Sequence, residues 1–252
     1  MDSVVPKLSW PPPPPEFDLG ESDIHVWSAS LDSLAGSATR LVSILSASER
    51  ERAERHRFER HRQWFIARRG LLRILLGRYL DNAPSELAFA YTARGKPSVT
   101  QHPGARVLHF NLSDSAGLAL VAVTRSAPLG VDVERIEPVR DMDGVAARFF
   151  SAREKATIDS LPEFRKAEAF FNCWTRKEAY LKATGEGISD SLPAVEVTLA
   201  PGDPPRLLGI AGDTQPAAQW TFSSVDPAPG FVGALAIRAR GLKLSCWQWP
   251  VT

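Results

Sequence analysis

The chain has 252 residues, of which 44% are hydrophobic and 23% charged, and its formal net charge is +1. This length accommodates one large domain or two small ones, with the composition of an ordinary globular protein. The small net charge gives no general argument for nucleic-acid or membrane binding, and two cysteines are too few for a disulfide framework or a zinc site. Because there is no signal-peptide pattern and no apolar run of ~20 residues, we expect a cytoplasmic protein.

The first elements of the chain are a proline run, a strand and a long helical region. Five consecutive prolines at 11–15 predict an extended leader, residues 1–15, lying against or off the fold. Alternating apolar residues predict a strand over 24–31. Ser46 and Glu49 form a capping-box pattern, which opens a helical region reaching residue 80. We expect this region to form two helices, 50–62 and 64–79.

A cationic turn and two strands follow. The turn at 91–97 carries Arg94 and Lys96. Strands are predicted at 107–110 and 117–123, and the hydrogen-bonding residues at 111–115 predict a polar turn between them.

The most informative strand is predicted at 130–134. Its period-2 pattern places Asp132 and Glu134 on one face, about 7 Å apart, and directs Val131 and Val133 towards the core. An acidic pair of this kind is commonly only the solvated side of a strand.

A second capping-box pattern, Ser151 with Glu154, precedes a helix predicted over 167–184. Glu178 and Lys182 share a face of this helix at i, i+4, a spacing that a simple helix salt bridge also explains. If the helix packs on the acidic strand, three carboxylates and one ammonium group converge. Such a set can hold Mg²⁺ against a substrate that carries phosphate.

The order of elements repeats along the chain. An ungapped alignment of 65–77 with 173–185 places Arg68 over Arg176 and Arg69 over Lys177. We therefore predict an α+β fold of two pseudo-symmetric halves, 16–127 and 128–252, each a long helix on an antiparallel sheet. The active site is expected in the cleft between them, with acids from the second half and cations from the first.

Five segments in this order resemble the 4′-phosphopantetheinyl transferases of the larger, two-half (Sfp) type, and the resemblance runs from about residue 46 to about residue 239. The segments are Gly95-Lys96-Pro97, Phe110-Asn111-Leu112-Ser113, Gly130-Val131-Asp132-Val133-Glu134, Arg148-Phe149-Phe150-Ser151 and Trp174-Thr175-Arg176-Lys177-Glu178-Ala179-Tyr180-Leu181-Lys182. The resemblance implies Mg-dependent transfer of the 4′-phosphopantetheine arm of coenzyme A to a serine of an apo acyl, peptidyl or aryl carrier protein, with release of adenosine 3′,5′-bisphosphate. Enzymes of this kind can also use Mn²⁺, and we expect a monomer.

The resemblance also implies roles for individual residues. Asp132, Glu134 and Glu178 would bind the metal, and Asp132, Glu178 and Lys182 would also contact coenzyme A. Glu178, directly or through a water, would accept the serine proton, and Lys182 would stabilise the leaving group. The remaining coenzyme A ligands would be Arg69, Arg94, Lys96, Asn111, Ser113 and Asp114.

Asp114 departs from the family pattern, which usually has a histidine at this place. A carboxylate beside phosphate is repulsive, by about 1 kcal/mol at 4 Å in water. Three arrangements remain open at this stage: Asp114 caps the turn, pairs with a neighbouring arginine, or acts through the metal's water shell.

Two rival functions are considered. The ten arginines within 50–78 could follow a nucleic-acid backbone, although interleaved glutamates favour an ion-paired helix surface. A coenzyme A-binding protein without activity is the second rival, and the presence of all three acids and Lys182 argues against it.

Overall fold

The computed structural model describes residues 9–100, 106–187 and 192–250. Nine of its elements lie in the first part of the chain, namely β1 (Asp23–Ser30), α1 (Leu31–Ala35), α2 (Ala38–Ser43), α3 (Ala47–Glu54), α4 (Glu59–Leu80), β2 (Phe89–Tyr91), β3 (Pro97–Val99), β4 (His109–Ser115) and β5 (Leu118–Thr124). The second part contains β6 (Leu129–Arg135), α5 (Met142–Phe149), α6 (Ala152–Asp159), α7 (Glu163–Thr184), β7 (Val195–Val197), β8 (Leu207–Ile210), β9 (Thr221–Ser224), β10 (Phe231–Ile237) and β11 (Lys243–Gln248). Among these helices, none has the length and apolar character needed to cross a membrane.

Two sheets and two long helices form four layers, which confirms the predicted α+β class. The two larger sheets have the strand orders β11-β1-β5-β4 and β6-β10-β9, and β2-β3 and β7-β8 form two further two-stranded sheets. Apolar residues of both larger sheets, including Val26, Leu120, Val131 and Leu235, form one buried cluster between them. The opposite faces carry α4 on the first sheet and α7 on the second.

The first sheet also includes the last strand of the chain. β11 pairs with β1 in parallel, whereas β1, β5 and β4 pair antiparallel. Residues 9–15 of the predicted leader contact this region, where the Gln248 N–H donates to the Pro11 carbonyl at 2.9 Å, and residues 1–8 lie outside the described part of the chain. The boundary between the two halves at residue 127 stays a prediction. β11 follows this boundary in the sequence, yet it pairs with β1 in the sheet of the first half.

Several predicted boundaries were wrong. The region predicted as a polar turn at 111–115 belongs to β4, and the actual turn is Ala116–Gly117, where φ is 47° and 83°. Two positive φ values suit a two-residue hairpin, so polar residues at 111–115 remain extended. The two helices predicted at 50–62 and 64–79 also have other bounds. α3 ends at Glu54 and α4 begins at Glu59, so the break lies at 55–58.

Both halves contain a capping box whose glutamate is buried against a cation of the long helix. In the first half, Glu49 accepts from the Ser46 N–H and from Arg73 Nε at 2.7 Å. In the second half, Glu154 accepts from the Ser151 N–H and pairs with Lys177 Nζ at 2.7 Å. Arg69 also pairs with Glu49, but α4 and α7 both have 22 residues and end at left-handed caps, Asp81 and Gly185, so the structural counterpart of Lys177 is Arg73. The ungapped alignment that used Arg69 was displaced by four residues, about one helical turn.

Candidate active site

A glycine brings the acidic strand and the long helix of the second half into direct contact. At Gly130, a Cβ atom would lie 2.0 Å from the Ala179 carbonyl oxygen and 2.5 Å from the Ala183 nitrogen of α7. Only glycine allows this approach without a shift of backbone. The contact places Glu178 and Lys182 beside the start of β6.

Asp132 is the buried centre of the site, with 3% of its surface exposed. Its Oδ1 accepts from Lys182 Nζ at 2.6 Å and from Ser113 Oγ at 2.7 Å. Lys182 also donates to Ser113 Oγ at 2.9 Å. The lysine thus pairs with an acid of the strand, rather than with Glu178 one turn earlier on its own helix.

The other two predicted acids complete the group. Glu134 accepts from Ser115 Oγ at 2.6 Å. Burial raises the pKa of Glu178 to about 7, with a further contribution from Asp132 that Lys182 opposes. Burial also raises the pKa of Glu134. The three acids therefore outnumber Lys182, the cation that pairs with Asp132.

Two buried carboxylate oxygens, Asp132 Oδ2 and Glu178 Oε1, have no hydrogen-bond partner in the described part of the chain. Buried charged oxygens without partners are costly and call for a ligand. Within the described residues, no three His, Cys, Asp or Glu side chains converge closely enough to enclose a metal ion as they stand. The all-oxygen donors and the partnerless oxygens nevertheless fit a hard cation such as Mg²⁺.

From Asn111 onwards, every second side chain of β4 forms a hydrogen bond to β6 and so fixes the position of that strand. Asn111 Oδ1 accepts from the Val131 N–H at 2.9 Å, and Ser113 and Ser115 donate to the acids of β6 as described above. Asn111 and Ser113 are both buried. These hydrogen bonds join the two halves. Because Asn111 and Ser113 already have these protein partners, their predicted contacts with coenzyme A remain proposals.

Asp114 pairs with an arginine, the second of the three arrangements left open by the sequence. Arg68 Nη1 donates to Asp114 Oδ1 at 2.5 Å. The adjacent Arg69 is turned away, because its Nε donates to Glu49 at 2.7 Å and its guanidinium lies over the Phe89 ring. The structure therefore does not bring Arg69 to the acids.

The cationic turn contacts the end of α7. Lys96 Nζ donates to the Ala183 carbonyl at 2.9 Å, and Arg94 donates to the Glu186 carbonyl. Cations are favourable at a helix C-terminus. Burial lowers the pKa of Lys96. The turn is thus fixed next to Lys182 and Glu178.

Two adjoining cavities surround these groups. The acidic cavity, about 360 Å³, is lined by Arg68, Leu112, Ser113, Asp114, Asp132, Glu134, Trp174, Glu178 and Lys182. The cationic cavity, about 240 Å³, is lined by Arg94, Gly95, Lys96, Pro97, Asn111, Leu112, Glu178, Leu181, Lys182, Gly185 and Gly187. Because both include Leu112, Glu178 and Lys182, a ligand can extend from one to the other.

Sequence reasoning missed Arg68, Ser115 and Trp174 as members of the site. Ser115 continues the period-2 pattern of Asn111 and Ser113, and Trp174 precedes Glu178 by one helical turn, so both carried a usable signal. Nothing in the sequence distinguished Arg68 from Arg69.

The arginine-rich surface of α3 and α4 is partly ion-paired. Arg60 lies 3.1 Å from Asp32, and Arg62 pairs with Glu54 and Glu59. This arrangement agrees with an ion-paired helix surface and gives little support to a nucleic-acid interface.

Comparisons with known proteins cover most of the chain. The model of the 4′-phosphopantetheinyl transferase superfamily matches residues 128–236, and that of the 4′-phosphopantetheinyl transferase N-terminal region matches residues 26–126. The chain is 38% identical over 241 residues to the 4′-phosphopantetheinyl transferase HetI of Nostoc sp., covering 96% of this chain and 98% of that protein.

Two Bacillus enzymes are also similar. The chain is 38% identical over 167 residues to the 4′-phosphopantetheinyl transferase psf-1 of Bacillus pumilus, covering 64% of this chain and 68% of that one. It is 30% identical over 160 residues to the 4′-phosphopantetheinyl transferase Sfp of Bacillus subtilis, covering 64% and 69%. The match to HetI over nearly both full lengths, together with the two family models, shows that the chain belongs to the 4′-phosphopantetheinyl transferase superfamily and is a transferase.

Proposed function

We propose that this enzyme transfers the 4′-phosphopantetheine arm of coenzyme A to a serine of an apo acyl, peptidyl or aryl carrier protein. Adenosine 3′,5′-bisphosphate is the second product. The observation that carries the proposal is the group formed by Asp132, Glu134, Glu178 and Lys182, with two buried carboxylate oxygens free to bind a cation. The names of the relatives support the same reaction.

Asp132, Glu134 and Glu178 are the proposed ligands of Mg²⁺, or of Mn²⁺ in its place. When bound, the metal would supply positive charge that neutralises the acids and polarises phosphate oxygens. Asp132 Oδ2 and Glu178 Oε1 are buried oxygens without a partner among residues 9–100, 106–187 and 192–250. Ser113 and Ser115 hold the carboxylates of β6 in place from the other half of the protein.

Lys182 and Glu178 are the proposed catalytic residues, with Asp132 orienting the lysine. The Lys182 ammonium group has donors that can stabilise the negative charge of the departing bisphosphate. Glu178 accepts the serine proton, directly or through a water. Its neighbour Lys177 is wholly buried and fixed by Glu154, which holds this stretch of α7 in place.

The cationic cavity is the proposed site of the nucleotide phosphates. Arg94 and Lys96 provide its charge, and Asn111 and Ser113 its polar atoms. Arg69 remains a proposed ligand only if it leaves Glu49, with which it now pairs. We also propose the halves 16–127 and 128–252 as the units that contribute cations and acids, acting in a cytoplasmic monomer.

The test is a transfer assay with intact protein. Coenzyme A, Mg²⁺ and a panel of apo carrier proteins are incubated with it, and each carrier is weighed by mass spectrometry. One added phosphopantetheine on at least one carrier is expected, and chelation of the metal should abolish the gain until Mg²⁺ is restored. No mass gain across the panel would contradict the proposal.

A further inference from the structure

Two adjacent arginines of α4 face different surroundings. Successive helical residues differ by about 100° in direction, so Arg68 and Arg69 cannot both face the same groups. Arg69 is directed to the buried Glu49. Arg68 lines the acidic cavity beside Asp132, Glu134 and Glu178. Arg68 is thus the arginine of α4 that a ligand in this cavity would meet.

The Arg68 guanidinium is fixed by two neighbouring side chains and still has N–H donors available for a ligand. Asp114 accepts from one of its N–H groups at 2.5 Å and is its hydrogen-bond partner within residues 9–100, 106–187 and 192–250. The Phe65 ring lies beneath it, 5.1 Å from Cζ to the centroid. A guanidinium has five N–H donors, so most remain for a ligand. The side chain is 29% exposed, which leaves it accessible from the cavity.

The charges of the cavity favour such a group. Four carboxylates line it, and the second cation present, Lys182, is paired with Asp132. A phosphate in this cavity would gain from a cation with free donors in addition to the proposed Mg²⁺. Arginine is well suited to this role, because its planar fork can bind two phosphate oxygens at once.

We propose that Arg68 binds the phosphoryl group that carries the pantetheine arm, and that Asp114 is the residue that positions it. The inference rests on the proposed function. Arg94 and Lys96 line the cationic cavity and Arg68 lines the acidic one, with Lys182 and Glu178 shared between them. If the nucleotide occupies the cationic side, the phosphoryl group next to pantetheine lies nearer to Arg68.

The test compares two ligands by calorimetry in the presence of Mg²⁺. Coenzyme A contains the phosphoryl group in question, and adenosine 3′,5′-bisphosphate lacks it. We expect Arg68→Ala to weaken coenzyme A binding about tenfold or more, the usual effect of losing a charged hydrogen bond. Binding of adenosine 3′,5′-bisphosphate should stay within about twofold of wild type. Arg68→Gln, which is closer in size, replaces the alanine variant if the latter fails to fold.

Asp114→Asn tests the positioning role. Alone, it should raise the KM for coenzyme A by a few-fold, while kcat changes less. In an Arg68→Ala background, Asp114→Asn should not raise the KM further. A residue that acts only by positioning Arg68 has no effect once Arg68 is absent. Arg60→Ala is the matched control, since Arg60 lies on the same helix as Arg68, pairs with the exposed Asp32 of α1 and lies outside both cavities. It should leave binding unchanged.

Three results would overturn the inference. Unchanged coenzyme A affinity in a folded Arg68 variant would remove Arg68 from the site. A rise confined to the KM for the carrier protein would assign Arg68 to a carboxylate of the carrier instead. Equal weakening of both nucleotides would place Arg68 on the adenosine bisphosphate. In each case wild-type transfer persists, whereas failure of the wild type to bind coenzyme A or to transfer would overturn the proposed function as well.

Discussion

Lys182 Nζ lies 2.6 Å from Oδ1 of Asp132, and Oδ2 of the same carboxylate has no hydrogen-bond partner among the residues that the structure describes. The pair joins α7 to β6, and Ser113 from the other half donates to the same oxygen. Oδ1 of Asp132 is thus hydrogen-bonded within the protein, and Oδ2 is available to a ligand. This division suits a carboxylate that orients a catalytic lysine and also binds a cation.

Lys182→Ala should reduce kcat for phosphopantetheine transfer by about 10²–10³-fold, because it removes the cation proposed to stabilise the leaving group. Initial rates at saturating coenzyme A and carrier protein measure the effect. Lys166→Ala is the control, since Lys166 lies on the same helix and pairs with the exposed Glu163. Wild-type kcat in the Lys182 variant would show that the leaving group does not need this lysine.

Glu178→Gln should abolish transfer and yet stabilise the metal-free protein. Burial and nearby carboxylates raise the pKa of Glu178 to about 7, so its charge destabilises the native state above that pH. At pH 8 the free energy of unfolding should rise by about 1 kcal/mol, after allowance for partial exposure.

The gain from Glu178→Gln should shrink as the pH falls from 7 towards 4.5, because native wild-type protein takes up a proton before the unfolded chain does. Urea unfolding with chelator present at several pH values measures this. Glu163→Gln, at an exposed position of the same helix, should change neither property. A Glu178→Gln variant with normal turnover would contradict its proposed role.

Gly130→Ala should destabilise the protein and reduce transfer together. Its Cβ would overlap the backbone of α7, and overpacking of this kind costs about 1–3 kcal/mol. The displaced helix would carry Glu178 and Lys182 away from Asp132. Chemical denaturation and kcat are the measurements. Gly36→Ala is the matched control, because its Cβ would meet its nearest neighbour at an ordinary 3.5 Å. Normal stability of Gly130→Ala would contradict the close contact.

Glu154→Ala should destabilise the protein by about 3–5 kcal/mol, because it leaves the wholly buried Lys177 without its carboxylate. The double variant Glu154→Leu with Lys177→Met should be markedly more stable than Glu154→Ala. The free energies of unfolding of the variants, measured by chemical denaturation, test the energetic coupling between Glu154 and Lys177. The exposed Glu163–Lys166 pair, treated in the same way, should show no measurable coupling. Equal losses in the two pairs would contradict the buried ion pair.

Acid should destabilise the protein through His25. Burial lowers the pKa of His25 to about 4, against the opposing effects of Asp23 and Asp18 and with a small contribution from Lys243. The unfolded chain therefore binds one more proton between pH 6.5 and 4, and stability falls across that window by at most about 3 kcal/mol.

His25→Asn removes this titration, and its amide can still meet the Tyr79 hydroxyl that lies 2.9 Å from His25 Nδ1. Thermal unfolding of both proteins between pH 4 and 7 should show a shallower pH dependence for the variant. Parallel curves would show that His25 does not titrate in this range.

The sequence was most informative where periodicity and residue chemistry coincided. The alternation at 130–134 correctly directed Val131 and Val133 to the core and Asp132 and Glu134 to the opposite face. Residues 111–115 have the same period-2 spacing of Asn111, Ser113 and Ser115, but their polar composition is typical of a turn. Those residues form a strand because their backbone pairs with β5 through the hairpin at Ala116–Gly117, and the side chains of Asn111 and Ser113 find their hydrogen-bond partners on β6.

The sequence by itself determined the α+β class, the repeated order of elements and the acids that share a strand or helix face, because local spacing sets these. Only the tertiary structure decided which charges meet. Lys182 pairs with Asp132 rather than Glu178, and Arg68 rather than Arg69 faces the acids. The physical reason is that the packing of α7 on Gly130 and of α4 on its sheet sets those distances, and ion pairing depends on distance and burial rather than on position along the chain.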